Sequence, residues 1–127
     1  MWPLHNILAH TTLVDDDTRA KLIDEVYAQV IPALTHHSRS IPCEESSVIA
    51  TDWINGRRSP NVDYDLTGTI AGLTLSSSAP LIYKSLVEAT AFGARAFIEQ
   101  FRNNGGIGEE VIAVGGISQK SPYVMQV

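Results

Sequence analysis

A single cysteine, Cys43, stands in the 127 residues. No disulfide can therefore form within the chain, and a lone thiol reads as that of a protein from a reducing, cytoplasmic compartment. Cationic residues are also few: nine Lys and Arg face fourteen Asp and Glu, for a net charge of −5 and a pI near 5.2. They are scattered along the chain. Nucleic acids and anionic membrane surfaces reward a clustered positive field, so neither partner is expected. Long apolar runs are missing, and residues 1–8 lack a basic leader, so neither a signal peptide nor a membrane anchor is expected there. The phosphate-binding patterns G-x-G-x-x-G and G-x-x-x-x-G-K-[ST] do not occur. Metal-ligand spacing is absent too. His36 and His37 are adjacent and point to different sides of a helix, His5 and His10 bring no Cys or carboxylate at ligand spacing, and all four read as surface histidines. Asp15, Asp16 and Asp17 lack the alternation and central glycine of a calcium loop. Cys43 has no local base and reads as inert.

What is present suits one modest core, since a chain of this length that is 44% hydrophobic has no room for two full domains. Asp15 to Asp17 sit where a helix N-terminus gains from negative charge, and Ile23, Val26, Val30 and Leu34 follow at helical spacing. Pro32 predicts a kink or a restart in that helix. Residues 39–45 read as a connector. Residues 47–54 read as a strand, 55–65 as a loop punctuated by Gly and Pro, and 68–75 as a second strand. A long helix follows, capped by Ser78 with Pro80 in its first turn. Its apolar face is traced by Ile82, Leu86, Ala89, Gly93, Phe97 and Phe101, and it stops at Asn103-Asn104-Gly105-Gly106 after about 36 Å. The small residues around Ala89 and Gly93 suit close packing on a sheet. Residues 111–114 then read as a buried strand running into Gly115-Gly116 and the start of a helix. Strand, long helix, strand and glycine turn form an α/β crossover with parallel neighbours, and ligands of such sheets gather beyond the carboxyl ends of the strands. Paired glycines there let a ligand approach the main chain, although the same pair also serves as a plain tight turn.

Four ordered stretches carry a resemblance: Asp52-Trp53-Ile54-Asn55-Gly56-Arg57-Arg58-Ser59-Pro60-Asn61, Gly68-Thr69-Ile70-Ala71-Gly72-Leu73, the run from Leu86 to Arg95, and Gly115-Gly116 through Met125-Gln126. Together they resemble the C-terminal domain of the FGGY carbohydrate kinases, closest to the ribulokinase branch, over roughly residues 47–127. The Met1-Trp2-Pro3-Leu4 lead-in is similar to an internal segment of that branch. Two departures stand out. The family's Gly-Glu-Arg-Thr-Pro loop has Arg57 for the glutamate and Ser59 for the threonine, and Leu81 replaces a polar or acidic residue at the start of the long helix.

The resemblance implies an α/β chain that is part of a ribonuclease H-like, actin-like ATPase domain. Residues 1–46 would form a helical lead-in inserted within the parent domain, and residues 47–127 an incomplete nucleotide-binding domain. It further implies an ATP-dependent kinase that uses Mg2+ and turns L-ribulose into L-ribulose 5-phosphate in L-arabinose breakdown. ATP and a ketopentose would be its partners. The catalytic aspartate is expected before Met1 and the end of the adenosine motif after Val127, so the isolated chain is expected to be inactive, with no catalytic or metal-binding residue of its own. Gly115 and Gly116 match the family's nucleotide-contacting glycines. Ser118 and Ser121 either hydrogen-bond phosphate or ribose from the helix start or simply cap. Arg58 either points into the cleft or braces its loop by pairing with Asp52, Asp63 or Asp65. Lys120 reads as a solvated surface lysine, and Trp53 and Trp2 as packing anchors.

A reading of another class stays open, that of a non-catalytic interaction or regulatory module with the actin-like half-fold. For a chain that is part of a larger domain, an unpaired strand edge and an apolar face around Ile49, Ile70 and Val114 predict self-association.

Overall fold

A computed structural model describes residues 10, 12, 14–42 and 47–127 of the chain. The readings placed on the Met1 to Leu4 lead-in, Trp2, His5, Cys43 and the end of the connector lie outside the described residues.

Helix α1 spans Asp16–Ser38. One of its orphan amides is met by Asp15, whose carboxylate accepts from the Thr18 N–H at 2.9 Å and from the Thr18 hydroxyl at 2.8 Å. These bonds hold the Asp15 carboxyl below its usual range, the Thr18 backbone bond being the larger cause. Asp16 and Asp17 fill the first turn, as their charge predicts. Pro32 does not restart the helix. It is exposed on an unbroken helical run, so the missing backbone donor is tolerated on the solvent side while packing of the other face carries the element through.

The predicted strands shrink to two residues each. β1 (Ile49–Ala50) and β2 (Ile70–Ala71) pair antiparallel, with Ile49 opposite Ala71 and Ala50 opposite Ile70. Thr51 and Thr69 prolong the pairing: the Thr51 N–H donates to the Thr69 carbonyl, and the Thr69 N–H donates to the Thr51 hydroxyl, both at 2.9 Å. Gly72 ends β2 at φ +79°, and a Cβ there would lie 2.0 Å from the Ser47 carbonyl oxygen. The parallel crossover is not formed among the described residues. Residues 111–114 join no ladder, and Val111, Ile112 and Val114 are exposed. The reason is physical: β-branched composition makes a strand only where a neighbour accepts its hydrogen bonds.

Helix α2 (Ala79–Asn103) begins as predicted, with Ser78 accepting from the Leu81 N–H at 3.4 Å and Pro80 in the first turn. It packs on both α1 and β1. Val48, Ser85, Val87 and Ala89 are buried at this junction. So is Lys84, which pairs with Glu88 at 2.7 Å. The C-terminal half of the predicted stripe differs, because Phe97 and Phe101 remain about half exposed, at 52% and 49%. At the stop, Gly105 takes φ +85°, and Gly106 lies so close to the Phe101 ring that a Cβ would sit 2.3 Å from it. Ser38 ties α1 to α2, its hydroxyl shared between the Leu34 carbonyl at 2.7 Å and the Pro80 carbonyl at 2.8 Å. Thr35 and Tyr83 add a hydroxyl pair at 3.2 Å. The short helix α3 (Gly116–Lys120) follows the glycine turn.

Candidate functional site

Gly115 caps α3 at φ +113°, ψ 179°, a conformation that L side chains rarely adopt. Its requirement for glycine is torsional, since a Cβ there would meet nothing within 4 Å. Gly116 differs: its φ lies outside the left-handed region and its Cβ position is equally open. Neither torsion nor crowding among the described residues therefore asks for glycine at 116. Ser118 turns inward on this motif, its hydroxyl donating to the Gly115 carbonyl at 2.7 Å. Ser121 is not at the helix start. It stands at the C-cap of α3, with its N–H on the Ile117 carbonyl at 2.9 Å and its hydroxyl accepting from Val124 N–H at 3.5 Å. Ser118 therefore lies in the first turn of α3 and Ser121 at its C-cap, three residues on.

Gly116 and Ser121 line a hollow of about 650 Å³ between α3 and the C-terminal half of α1. Ile31, Pro32 and Ile117 form apolar walls, Arg39 and Lys120 bring positive charge, and no carboxylate is among the lining residues. Such a lining favours a ligand with a flat apolar part and an anionic part. Lys120 is exposed, as read, and faces the hollow. Arg39 and the neighbouring Tyr123 escaped the sequence reading. Their guanidinium and ring lie 6.0 Å apart, and the tyrosine ring stacks on Tyr83 at 6.2 Å, across stretches of chain that no local pattern links.

The loop after β1 sorts its two arginines differently from expectation. Arg57 is the brace: it exchanges backbone hydrogen bonds with Asp63 at 2.7 and 2.9 Å, its Nε donates to the Asn61 carbonyl at 2.9 Å, and its guanidinium covers Trp53 at 5.2 Å. Asn61 itself sits at φ +57°. Arg58, predicted to brace or to face the cleft, makes no pair with Asp52, Asp63 or Asp65. It is exposed on a second hollow of about 320 Å³, whose lining also includes Asp52, Trp53, Asn55, Arg57 and Gly93. Alternation along the bridged segment turns Arg57 onto the Trp53 ring and leaves Arg58 exposed. This hollow is separate in its lining from the one at Gly116. Among the described residues no three of His, Cys, Asp and Glu come together as a metal-binding group. No described helix is long and apolar enough to cross a membrane.

A family profile, described as the FGGY family of carbohydrate kinases, C-terminal domain, matches residues 4–127. A ribulokinase of Vibrio parahaemolyticus is 40% identical over 126 residues, covering 99% of this chain and 21% of the relative. A ribulokinase of Bacillus licheniformis is 49% identical over 94 residues, covering 74% of this chain and 17% of the relative. The chain thus spans about a fifth of the length of these relatives. Among solved structures, a xylulose kinase from Rhodospirillum rubrum superposes with a TM-score of 0.69 over 95% of this chain and 22% of its own, at 21% identity. A kinase from Brucella ovis gives a TM-score of 0.63 over 78% of this chain and 21% of its own. The described helices and small sheet are accordingly part of the actin-like ATPase fold of sugar kinases.

Proposed function

Because the chain belongs to the FGGY family of carbohydrate kinases, matching its C-terminal domain, we propose that it supplies the nucleotide side of an ATP-dependent kinase that phosphorylates a ketopentose, L-ribulose, to L-ribulose 5-phosphate. The observation that carries this is the glycine pair: Gly116 lacks a Cβ that nothing in the described chain would obstruct, and it opens on a hollow with apolar walls and two cations. A base fits between Ile31, Pro32 and Ile117, and phosphates fit Arg39 and Lys120. The names of the relatives at 40% and 49% identity support ribulose as the sugar, and the L-arabinose route is the setting that the family resemblance implies. Arg58 faces its separate hollow as a candidate anion contact.

Bound ATP would supply the phosphoryl group, and Mg2+ would neutralise its phosphates. The lining of the hollow contains no carboxylate to hold that ion, so the metal would arrive with the nucleotide and no residue named here is assigned to it. Nor does the hollow hold a carboxylate base for a sugar hydroxyl, which leads us to propose that this chain by itself does not transfer phosphate. We assign residues 1–46 to a helical lead-in within the parent domain and 47–127 to the nucleotide-binding part. The single Cys43 supports a cytoplasmic setting.

Calorimetric titration of the chain with Mg-ADP tests the reading. Saturable binding that weakens in Gly116→Val is expected, together with no phosphorylation of L-ribulose. A folded chain that ignores ADP would sink the proposal and favour a non-catalytic interaction module.

A further inference from the structure

We propose that Tyr123 is a positioning residue that seats the Gly115-Gly116 turn opposite Arg39 across their shared hollow, acting through its ring and not its hydroxyl. The assignment of that hollow to a nucleotide rests on the function proposed above. The seating does not.

Between residues 104 and 127, Tyr123 is the one buried residue, at 6% exposure. The backbone bonds that shape this stretch after the glycine turn are internal to it: the Ser121 N–H donates to the Ile117 carbonyl at 2.9 Å, that of Met125 to Ser121 at 3.3 Å, and that of Gln126 to Tyr123 at 3.1 Å. Such bonds give the segment a shape without attaching it to anything. Attachment comes from side chains, with Val124 and Met125 lying against an open groove along α2 and Tyr123 entering the α1–α2 junction. There its ring lies nearly parallel to that of Tyr83, at 20° and 6.2 Å, while the Arg39 guanidinium approaches the same ring at 6.0 Å. Tyr83 is itself tied to α1 through Thr35. One ring therefore touches both walls of the hollow, fixing the short helix that begins at Gly116 and the arginine that faces it.

The hydroxyl is secondary to this. It is buried and makes no hydrogen bond of good geometry among the described residues, Ser38 being the side chain that acts on it, so removing it costs little beside removing the ring. Ring and hydroxyl can thus be separated by substitution.

The test compares the unaltered chain with Tyr123→Phe, Tyr123→Leu and Tyr123→Ala by hydrogen exchange resolved to segments and by titration with Mg-ADP. Tyr123→Phe should match the unaltered chain in both, within about twofold. Tyr123→Ala should speed exchange at residues 116–126 by about tenfold or more, leave α1 and α2 protected, and weaken ADP binding by a similar factor. Should Tyr123→Ala unfold altogether, Tyr123→Leu decides, since it keeps apolar volume while removing the stack. Unchanged exchange at 116–126 in the ring-deleted variant, or equal damage from Phe, would overturn the assignment. If the unaltered chain binds no ADP, the nucleotide reading fails, and the exchange pattern alone decides the seating.

Discussion

Arg57 and Arg58 are neighbours of the same type, yet the loop uses them for different work. Arg57 carries a backbone pair with Asp63, a bond to Asn61 and a stack on Trp53, whereas Arg58 stands exposed beside Asp52 and Gly93. Truncating Arg57 to Ala removes the Nε bond and the stack, and should cost about 1–2 kcal/mol in a denaturant titration. Arg58→Ala should stay within about 0.5 kcal/mol of the unaltered chain in the same experiment. The composition of the loop was legible in the sequence, but which arginine braces it was not, because the assignment depends on which side chain meets Trp53 after the loop folds back on Asp63. Tyr123 presents a second contrast at this scale. Burial raises its phenol pKa above the usual 10.0, with Lys84 opposing. The folded state therefore holds this proton more tightly than the unfolded state. Its contribution is complete below the unfolded pKa and declines as pH rises through about 10, where the unfolded chain ionises first. Urea unfolding followed from about pH 9 to about pH 11 should show a loss of stability that is smaller in Tyr123→Phe.

At the level of elements, the helices were the readable part. Their caps and periods are local: Asp15 and Ser78 begin α1 and α2 where the sequence places them, and Gly105 follows the end of α2 in the left-handed region. Strands were not readable to the same degree. The residues of 47–54 and 68–75 have strand composition, but a ladder is a relation between two stretches, and only Ile49–Ala50 and Ile70–Ala71 are paired as strands. Two glycines with similar torsions separate conformation from crowding. Gly105→Ala meets only the torsional penalty, since no atom lies within 4 Å of the new Cβ, and should cost about 1 kcal/mol. Gly72→Ala meets the same penalty and also drives a Cβ to 2.0 Å from the Ser47 carbonyl oxygen, at the edge of the β1–β2 pair. It should cost more than about 2 kcal/mol, and thermal unfolding of the two variants side by side checks the order.

Considered as a whole molecule, the described residues leave many large apolar side chains exposed around a small core. Ile49, Ile54, Leu75, Ile107, Ile112, Val114 and Ile117 are all exposed, and Phe97 and Phe101 lie beside a further apolar hollow of about 390 Å³ with Val111 and Ile112. Surfaces of this kind drive association when nothing else covers them. Sedimentation velocity of the chain over a rising concentration series should show a shift to larger species, and a single monomeric boundary throughout would refute the expectation. The amino-acid order by itself determined where α1 and α2 start and where α2 stops, the likeness to the carbohydrate kinases and the glycine pair, because capping, periodicity and motif spacing are properties of short stretches. Only the tertiary structure decided that Ser121 stands at the far end of α3, that Arg57 and not Arg58 holds its loop, and that Tyr123 and Arg39 share one hollow with Gly116. Each of those outcomes depends on a contact between distant parts of the chain, and such a contact leaves no period or spacing in the sequence.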